Sequence, residues 1–334
     1  MKVLVTGGLG FIGSHTVVEL QNEGYEVVII DNLSNSKIEV LEQITSITGI
    51  KPQFEEFDLL DKPKVTSFFK TNKIDGVIHF AASKAVGESV EKPLLYYNNN
   101  LGSLLNVLEA MLATNQDHFI FSSSCTVYGQ ADEMPITENA SIKPAESPYG
   151  NTKKIAEDIL NDTTKVHKLN AIALRYFNPI GAHPSAKIGE LPIGVPQNLI
   201  PYVTQTAAGI REQLSVFGDD YPTQDGTAIR DYIHVVDLAK AHIVALKRLI
   251  DSNNKTALEF FNIGTGKGSS VLDVIKAFEK ATEQKLNYKI VPRRAGDITE
   301  AYADTTLANT ELGWQSEKTL EEALGDAWKW QLQQ

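Results

Sequence analysis

One cysteine, Cys125, in 334 residues leaves no partner for an internal disulfide and suits a reducing compartment. Basic residues are in deficit too, with 31 Lys and Arg against 42 Asp and Glu and a net charge of −11. Nucleic-acid binding wants a basic face, so no nucleic-acid partner is expected. No apolar run reaches the roughly 18 residues of a membrane span, and the opening "MKVLVTGGLG" breaks into glycines too early for a signal peptide. The expectation is a cytoplasmic protein with no membrane partner. None of the seven histidines stands at a metal-ligand spacing such as HExxH, so no metal is expected. Arginine is scarce, six residues in all, which makes the position of each one informative.

What is present alternates. Apolar, β-rich runs occupy 2–6, 26–30, 76–82, 118–124 and 171–178, with a shorter one at 52–58, and helix-like stretches cover 93–115 and 148–168. Near-continuous apolar strands separated by helices predict an α/β fold, a Rossmann-type doubly wound parallel sheet covered on both faces. The texture changes near residue 179: six of the 13 prolines fall between 179 and 222. Further on, "IHVVDLAKAHIVALKRLI" reads as a helix and "EFFNIGTGKGSSVLDVIKAFEKA" as strand, loop and helix, capped by Ser269 or Ser270. That loop is not a P-loop, because Phe261 stands where the motif needs its first glycine. Residues 1–178, with a returning segment at about 232–264, are expected to form a dinucleotide-binding domain. Residues 179–231 and 265–334 would form a smaller, loop-rich C-terminal substrate domain.

"TGGLGFIGSHT" places Gly7, Gly10 and Gly13, with Phe11 and Ile12 between them, where the first strand passes into the first helix. Gly7 permits the tight turn, Gly10 lets backbone approach a pyrophosphate, and Gly13 lets helix pack on strand. The helix N-terminus then offers free N–H groups to the phosphates. Eighteen residues beyond Gly13 the second strand ends in Asp31, followed by Asn32. A carboxylate there accepts from a ribose 2′-hydroxyl and repels a 2′-phosphate, so NAD is expected rather than NADP. Asp58, ending another strand-like run, reads equally as an adenine contact or a surface turn. Ala81 and Ala82 suit close approach of a cofactor, and Lys84 is a cofactor contact or a solvated charge.

"FSSSCTVYG" sets Ser122, Ser123 and Ser124 at a strand end, where ligands of open parallel sheets sit. Tyr149 follows 25 residues later and Lys153 one helical turn beyond it, on the same face. Half-ionising a tyrosine of pKa about 10 at pH 7 requires about 4 kcal/mol. A cation about 5 Å away, at an effective dielectric of about 20, supplies about 3 kcal/mol. With Lys153 as one cation and oxidised nicotinamide as a second, Tyr149 is expected to act as a general base near neutrality, with Ser124 bonded to the substrate hydroxyl.

The glycine fingerprint, strand-end serine and Tyr-x-x-x-Lys resemble the extended short-chain dehydrogenase/reductase family. The likeness extends through "DNLSNS", "HFAASKAVGES", "SPYGNTK", "LRYFNPIGAHP", "NLIPYVTQ", "DGTAIRDYIHV", "FNIGTGKGSSVLDV" and "PRRAGD", over essentially the whole chain. It is closest to members that invert the 4-hydroxyl of UDP-linked hexoses. The resemblance implies resident NAD, a 4-keto sugar that turns over while UDP stays anchored, a place in galactose metabolism, and a homodimer through the helices near 93–115 and 148–168. It implies further cofactor contacts at Asn35, Ser36, Leu59, Phe80, Asn99 and Ser122. Tyr176 and Phe177 would line the nicotinamide and sugar floor or simply belong to the core. For the UDP-sugar it implies Asn178, Asn198, Leu199, Val216, Phe217, Arg230, Arg294 and Asp297, the two arginines clamping the diphosphate. Ala301, at a position where the family varies between a bulky tyrosine and a small residue, would leave room for a 2-acetamido group, unless the alignment slips to Tyr302. A 4,6-dehydratase would want an acid and a base beside Ser124, where Cys125 and Thr126 stand instead. A uronic-acid epimerase or decarboxylase would want a carboxylate partner that the sequence does not reveal, and an NAD sensor would not need the Tyr149–Lys153 pair.

Overall fold

Side chains alternate across a strand, so Val3 and Val5 face one side of β1 (Lys2–Thr6) and Leu4 the other. All three are fully buried, in two different cores. The computed structural model, which describes residues 1–294 and 297–334, builds a seven-stranded parallel sheet around this strand. Its other members are β2 (Glu26–Asp31), β3 (Gln53–Glu56), β4 (Gly76–His79), β5 (His118–Ser122), β6 (Asn170–Tyr176) and, returning late in the chain, Leu258–Ile263. From one edge the order is Leu258–Ile263, β6, β5, β4, β1, β2, β3. The order reverses between β1 and β4, and ligands of such sheets bind beyond the strand ends at that switch.

Helices cover both faces. α1 (Phe11–Asn22), α2 (Glu39–Thr48) and α8 (Val235–Ile250) bury Val17, Leu41 and Leu238 against the Val3 side. α3 (Lys62–Thr71), α5 (Pro93–Ala113) and α6 (Pro148–Val166) bury Phe68, Val107 and Leu160 against the Leu4 side. The short α4 (Val86–Glu91) precedes α5. A third core, around Ile200, Val216, Phe278 and Leu324, gathers α7 (Leu199–Ala207), α9 (Val271–Thr282), α10 (Leu320–Gln331) and the strand Leu214–Phe217. Ser270 caps α9 in a reciprocal box with Asp273, one of the two serines expected there.

The strands stop earlier than their apolar runs. β4 ends at His79, the partner of Thr6 at the end of β1, so Ala81 and Ala82 lie beyond the sheet. β5 ends at Ser122; Ser124 instead caps a short 3₁₀ turn, Cys125–Tyr128, and accepts the Thr126 N–H at 3.2 Å. β6 ends at Tyr176, and Asn178–Ile180 pairs separately with Tyr232–His234.

One charged pair crosses the interior. Arg175 on β6 donates through Nε (2.9 Å) and Nη2 (2.8 Å) to the two carboxylate oxygens of Glu157 on α6, both residues buried. Ser123 donates to the same Glu157 at 2.6 Å. Tyr128 accepts from Arg175 and donates to Asn262 of the last strand. Removing one member leaves its partner charged in the core. Arg175→Met is expected to lower unfolding free energy by about 3–5 kcal/mol in chemical denaturation. Lys165→Ala, which breaks an exposed pair with Asp162, should stay within about 0.5 kcal/mol.

Candidate active site

A cleft of about 1600 Å³ opens beyond the C-terminal ends of β1, β2, β4, β5 and β6. At its floor the first turn is glycine for steric reasons. Gly7 has φ 67°, and a Cβ there would stand 2.9 Å from the Ala81 nitrogen. A Cβ at Gly13 would run into the Gly7 carbonyl oxygen. Gly10 is the N-cap of α1, so the free amides of that helix face the cleft beside Phe11 and Ile12.

Asp31, at the end of β2, accepts the Leu9 N–H at 3.1 Å on one oxygen, and the Leu33 N–H and Ser36 hydroxyl on the other. This fixes the carboxylate and leaves acceptor capacity, since a carboxylate offers about four lone-pair sites. Asn32 donates to Asp58 at 2.9 Å, so these two form one wall with Asn35 and Leu59. Phe80, Ala81, Ala82, Lys84, Asn99 and Ser122 continue it. Asn99 donates to the Ser83 hydroxyl at 3.1 Å, which steadies the loop after β4. Glycine cradle, helix end and fixed carboxylate together fit a dinucleotide.

Deeper in, Ser147 caps α6 by accepting the Gly150 N–H, Pro148 occupies the first turn, and Tyr149 and Lys153 come onto the buried face. The Lys153 ammonium donates to the Ser122 carbonyl at 2.7 Å and lies 4.9 Å from the Phe121 ring centre and 5.9 Å from that of Tyr149. Ser124, at the end of the same strand-end run, accepts from Thr126 Oγ1 at 3.0 Å. Tyr176 shares a hydrogen bond with Ser122 at 2.9 Å.

Without the nicotinamide charge, burial dominates the electrostatics of the pair. Burial pushes the Tyr149 hydroxyl well above its usual range, and the neighbouring Tyr176 adds to that, with the nearby Ser124 hydroxyl opposing. Burial also brings Lys153 down to about 8, against the pull of Glu157 one turn along the helix. Desolvation acts on both groups because both are buried. The protein's own charges do not ionise Tyr149 near neutrality.

Toward the mouth, Asn178, Asn198, Arg230, Arg294, Asp297 and Ala301 line the cleft. Asp297 accepts from Arg294 at 2.8 and 3.2 Å and lies 3.9 Å from Arg230, so one carboxylate holds both guanidinium groups. Ala301 is buried opposite Arg230 in a short parallel ladder. Tyr302 turns away and packs beside Gly268.

Five expected residues do not line this wall. Ser124 is buried behind it, between the lining residues Ser122 and Cys125, with its hydroxyl turned to the Thr126 N–H and Oγ1. Phe177 alternates away from Tyr176 and packs with Val127 and Tyr128. Leu199 and Val216 face the third core, and Phe217 is 41% exposed with Arg294 over its ring at 5.7 Å. Conversely, the Glu157–Arg175 pair and the loop around Glu190 were not singled out from sequence. An arginine inside the apolar run "AIALRYFN" was the available signal, since a buried guanidinium needs an acid.

Among the described residues no cluster could hold a metal ion, and no helix is long and apolar enough to cross a membrane. Residues 4–327 match the family model described as GDP-mannose 4,6 dehydratase. At higher resolution, the chain is 52% identical to the UDP-glucose 4-epimerase of Bacillus subtilis, covering 99% of this chain and 97% of that one. It is 50% identical to the enzyme of the same name from Drosophila melanogaster, over 99% and 96%. Its fold superposes with a TM-score of 0.97 on the UDP-glucose 4-epimerase of Stenotrophomonas maltophila, solved with bound NAD and formylated UDP-arabinopyranose. That pair is 48% identical, covering 100% of this chain and 98% of the other. The Bifidobacterium longum enzyme, solved with NAD+ and UDP, gives 0.94 at 48% identity, over 100% and 98%. The chain belongs to the UDP-glucose 4-epimerases, within the extended short-chain dehydrogenase/reductase family.

Proposed function

We propose that the chain interconverts UDP-glucose and UDP-galactose by inverting carbon 4 through a 4-keto sugar, with NAD resident in the cleft. The observation that carries this reading is the buried Tyr149–Lys153 pair, with Ser124 behind it, beside a dinucleotide cradle and in the same cleft as Arg230 and Arg294. Bound NAD supplies a reversible hydride acceptor for carbon 4 and, when oxidised, a positive charge.

The chain's own residues do the rest. Tyr149 takes the proton of the sugar 4-hydroxyl and later returns it. Its hydroxyl needs a nearby cation to ionise near neutrality, so the proton moves only when a cation stands beside it. Ser124 bonds the same substrate oxygen and keeps Tyr149 in line. Lys153, anchored on the Ser122 carbonyl, holds its charge below the phenol. Inversion requires the sugar to present its other face, which it can do only if the grip is on UDP. Arg230 and Arg294, steadied by Asp297, suit the diphosphate.

Further parts of the reading rest on placement. Residues 1–178 with 232–264 form the cofactor domain, and 179–231 with 265–334 the UDP-sugar domain. Exposed Leu94 and Leu105 on α5 and Val166 on α6, none of which lines the cleft, support a homodimer through the α5 and α6 helices. Cytoplasmic location and service in galactose metabolism are part of the same proposal. The dehydratase alternative is disfavoured by Cys125 and Thr126, which supply no carboxylate after Ser124.

Tyr149→Phe is expected to slow conversion of UDP-galactose by about 10³-fold while UDP-galactose still binds; turnover at the parent rate would contradict the assignment. Ala301 leaves space for a 2-acetamido group, so the parent should also epimerise UDP-N-acetylglucosamine. Ala301→Tyr should abolish that activity and keep the glucose–galactose one, as read by chromatography of both product pairs.

A further inference from the structure

Lys84, in the loop after β4, and Asn198, the N-cap of α7, both donate to one atom. The Lys84 ammonium lies 3.1 Å and the Asn198 amide 2.7 Å from Oε1 of Glu190. All three residues line the cleft. The backbone beneath this carboxylate is braced: the Trp330 indole N–H donates to the Glu190 carbonyl at 3.1 Å, and Gly189 lies against the Trp330 ring with no room for a Cβ. The Glu190 side chain is 11% exposed and the Lys84 side chain 48%, so the support is the buried partner and the lysine the mobile one. Held in this way, the Lys84 ammonium sits 6.0 Å from the ring of Phe11, the first residue of α1. That is the helix end whose free amides suit a pyrophosphate.

We propose that Glu190 is a positioning residue that pins Lys84 over the mouth of the dinucleotide site and ties it to Asn198 in the UDP-sugar site, so that the dinucleotide leaves only when this bridge opens. An ammonium carries three donors, so Lys84 can keep Glu190 while meeting a phosphate oxygen. Without the carboxylate, a long flexible side chain scatters over many rotamers and reaches the phosphate less often. The inference rests on the NAD-dependent reading above.

The test is the release rate of labelled NAD from the loaded protein, chased with unlabelled NAD. The variants are Glu190→Gln, Lys84→Gln and the two combined. Gln keeps an acceptor for Asn198 and removes only the charge. Glu190→Gln should speed release about two- to fivefold at low salt, the range of a partly exposed ion pair, and the difference should shrink at high salt. In the Lys84→Gln background it should add nothing, which a merely structural role of Glu190 would not produce. Release at the parent rate, or an undiminished effect of Glu190→Gln without Lys84, overturns the bridge while leaving the epimerase reading intact. A parent protein that holds no dinucleotide overturns both.

Discussion

The geometry of the cleft hangs from the buried ion pair between Glu157 and Arg175. Each partner sits next to a residue to which the proposed chemistry falls. Glu157 is one turn from Lys153 on α6, Arg175 precedes Tyr176 on β6, and Ser123, which donates to Glu157, precedes Ser124. Tyr128 and Asn262 extend the network to the 3₁₀ turn and the last strand of the sheet. A pair of this kind is poor value as stabilisation, since apolar side chains of the same volume often do as well. Its return is positional. Three elements meet with their reactive side chains in fixed relation, because a shift of any one leaves a charge unpaired in the core.

The same burial sets the protonation states. Removed from water, the Tyr149 phenol resists ionisation and the Lys153 ammonium loosens its proton toward about 8. A pair that ionised freely would carry a permanent charge in the cleft. In the proposed reading, the pair changes state only when a cation arrives beside it, which would tie proton transfer from the sugar to the oxidised form of the cofactor. Asp297, holding Arg230 and Arg294 together, does a parallel job at the end of the cleft proposed for the diphosphate. It keeps two positive groups adjacent despite their mutual repulsion.

The sheet was legible because its inner strands are covered on both faces, which writes a continuous apolar run into the sequence; all seven strands were read within a few residues, although β3, at the sheet edge, is only partly buried. Their ends were less legible. Apolar side chains continue past the last ladder partner, as at Phe80 and Ala81, and only the neighbouring strand decides where pairing stops. Glycine positions and the Tyr149–Lys153 spacing carried over because they are set by local geometry, a φ of 67° at Gly7 and one helical turn at α6. The uridine end was harder. Leu199, Val216 and Phe217 sit among short elements whose facing depends on a third core assembled from distant segments. The balance between burial and charge at Tyr149 was also out of reach, because a sequence does not state how dry a site is.

The central claim is that burial holds Tyr149 protonated until a positive nicotinamide stands beside it. The direct measurement is an ultraviolet titration of tyrosinate in the protein loaded with NAD+ and again with NADH, with Tyr149→Phe as the blank. One phenolate is predicted to appear near neutral pH with the oxidised cofactor and to be missing until well above pH 10 with the reduced one. The same near-neutral titration with both would contradict the account.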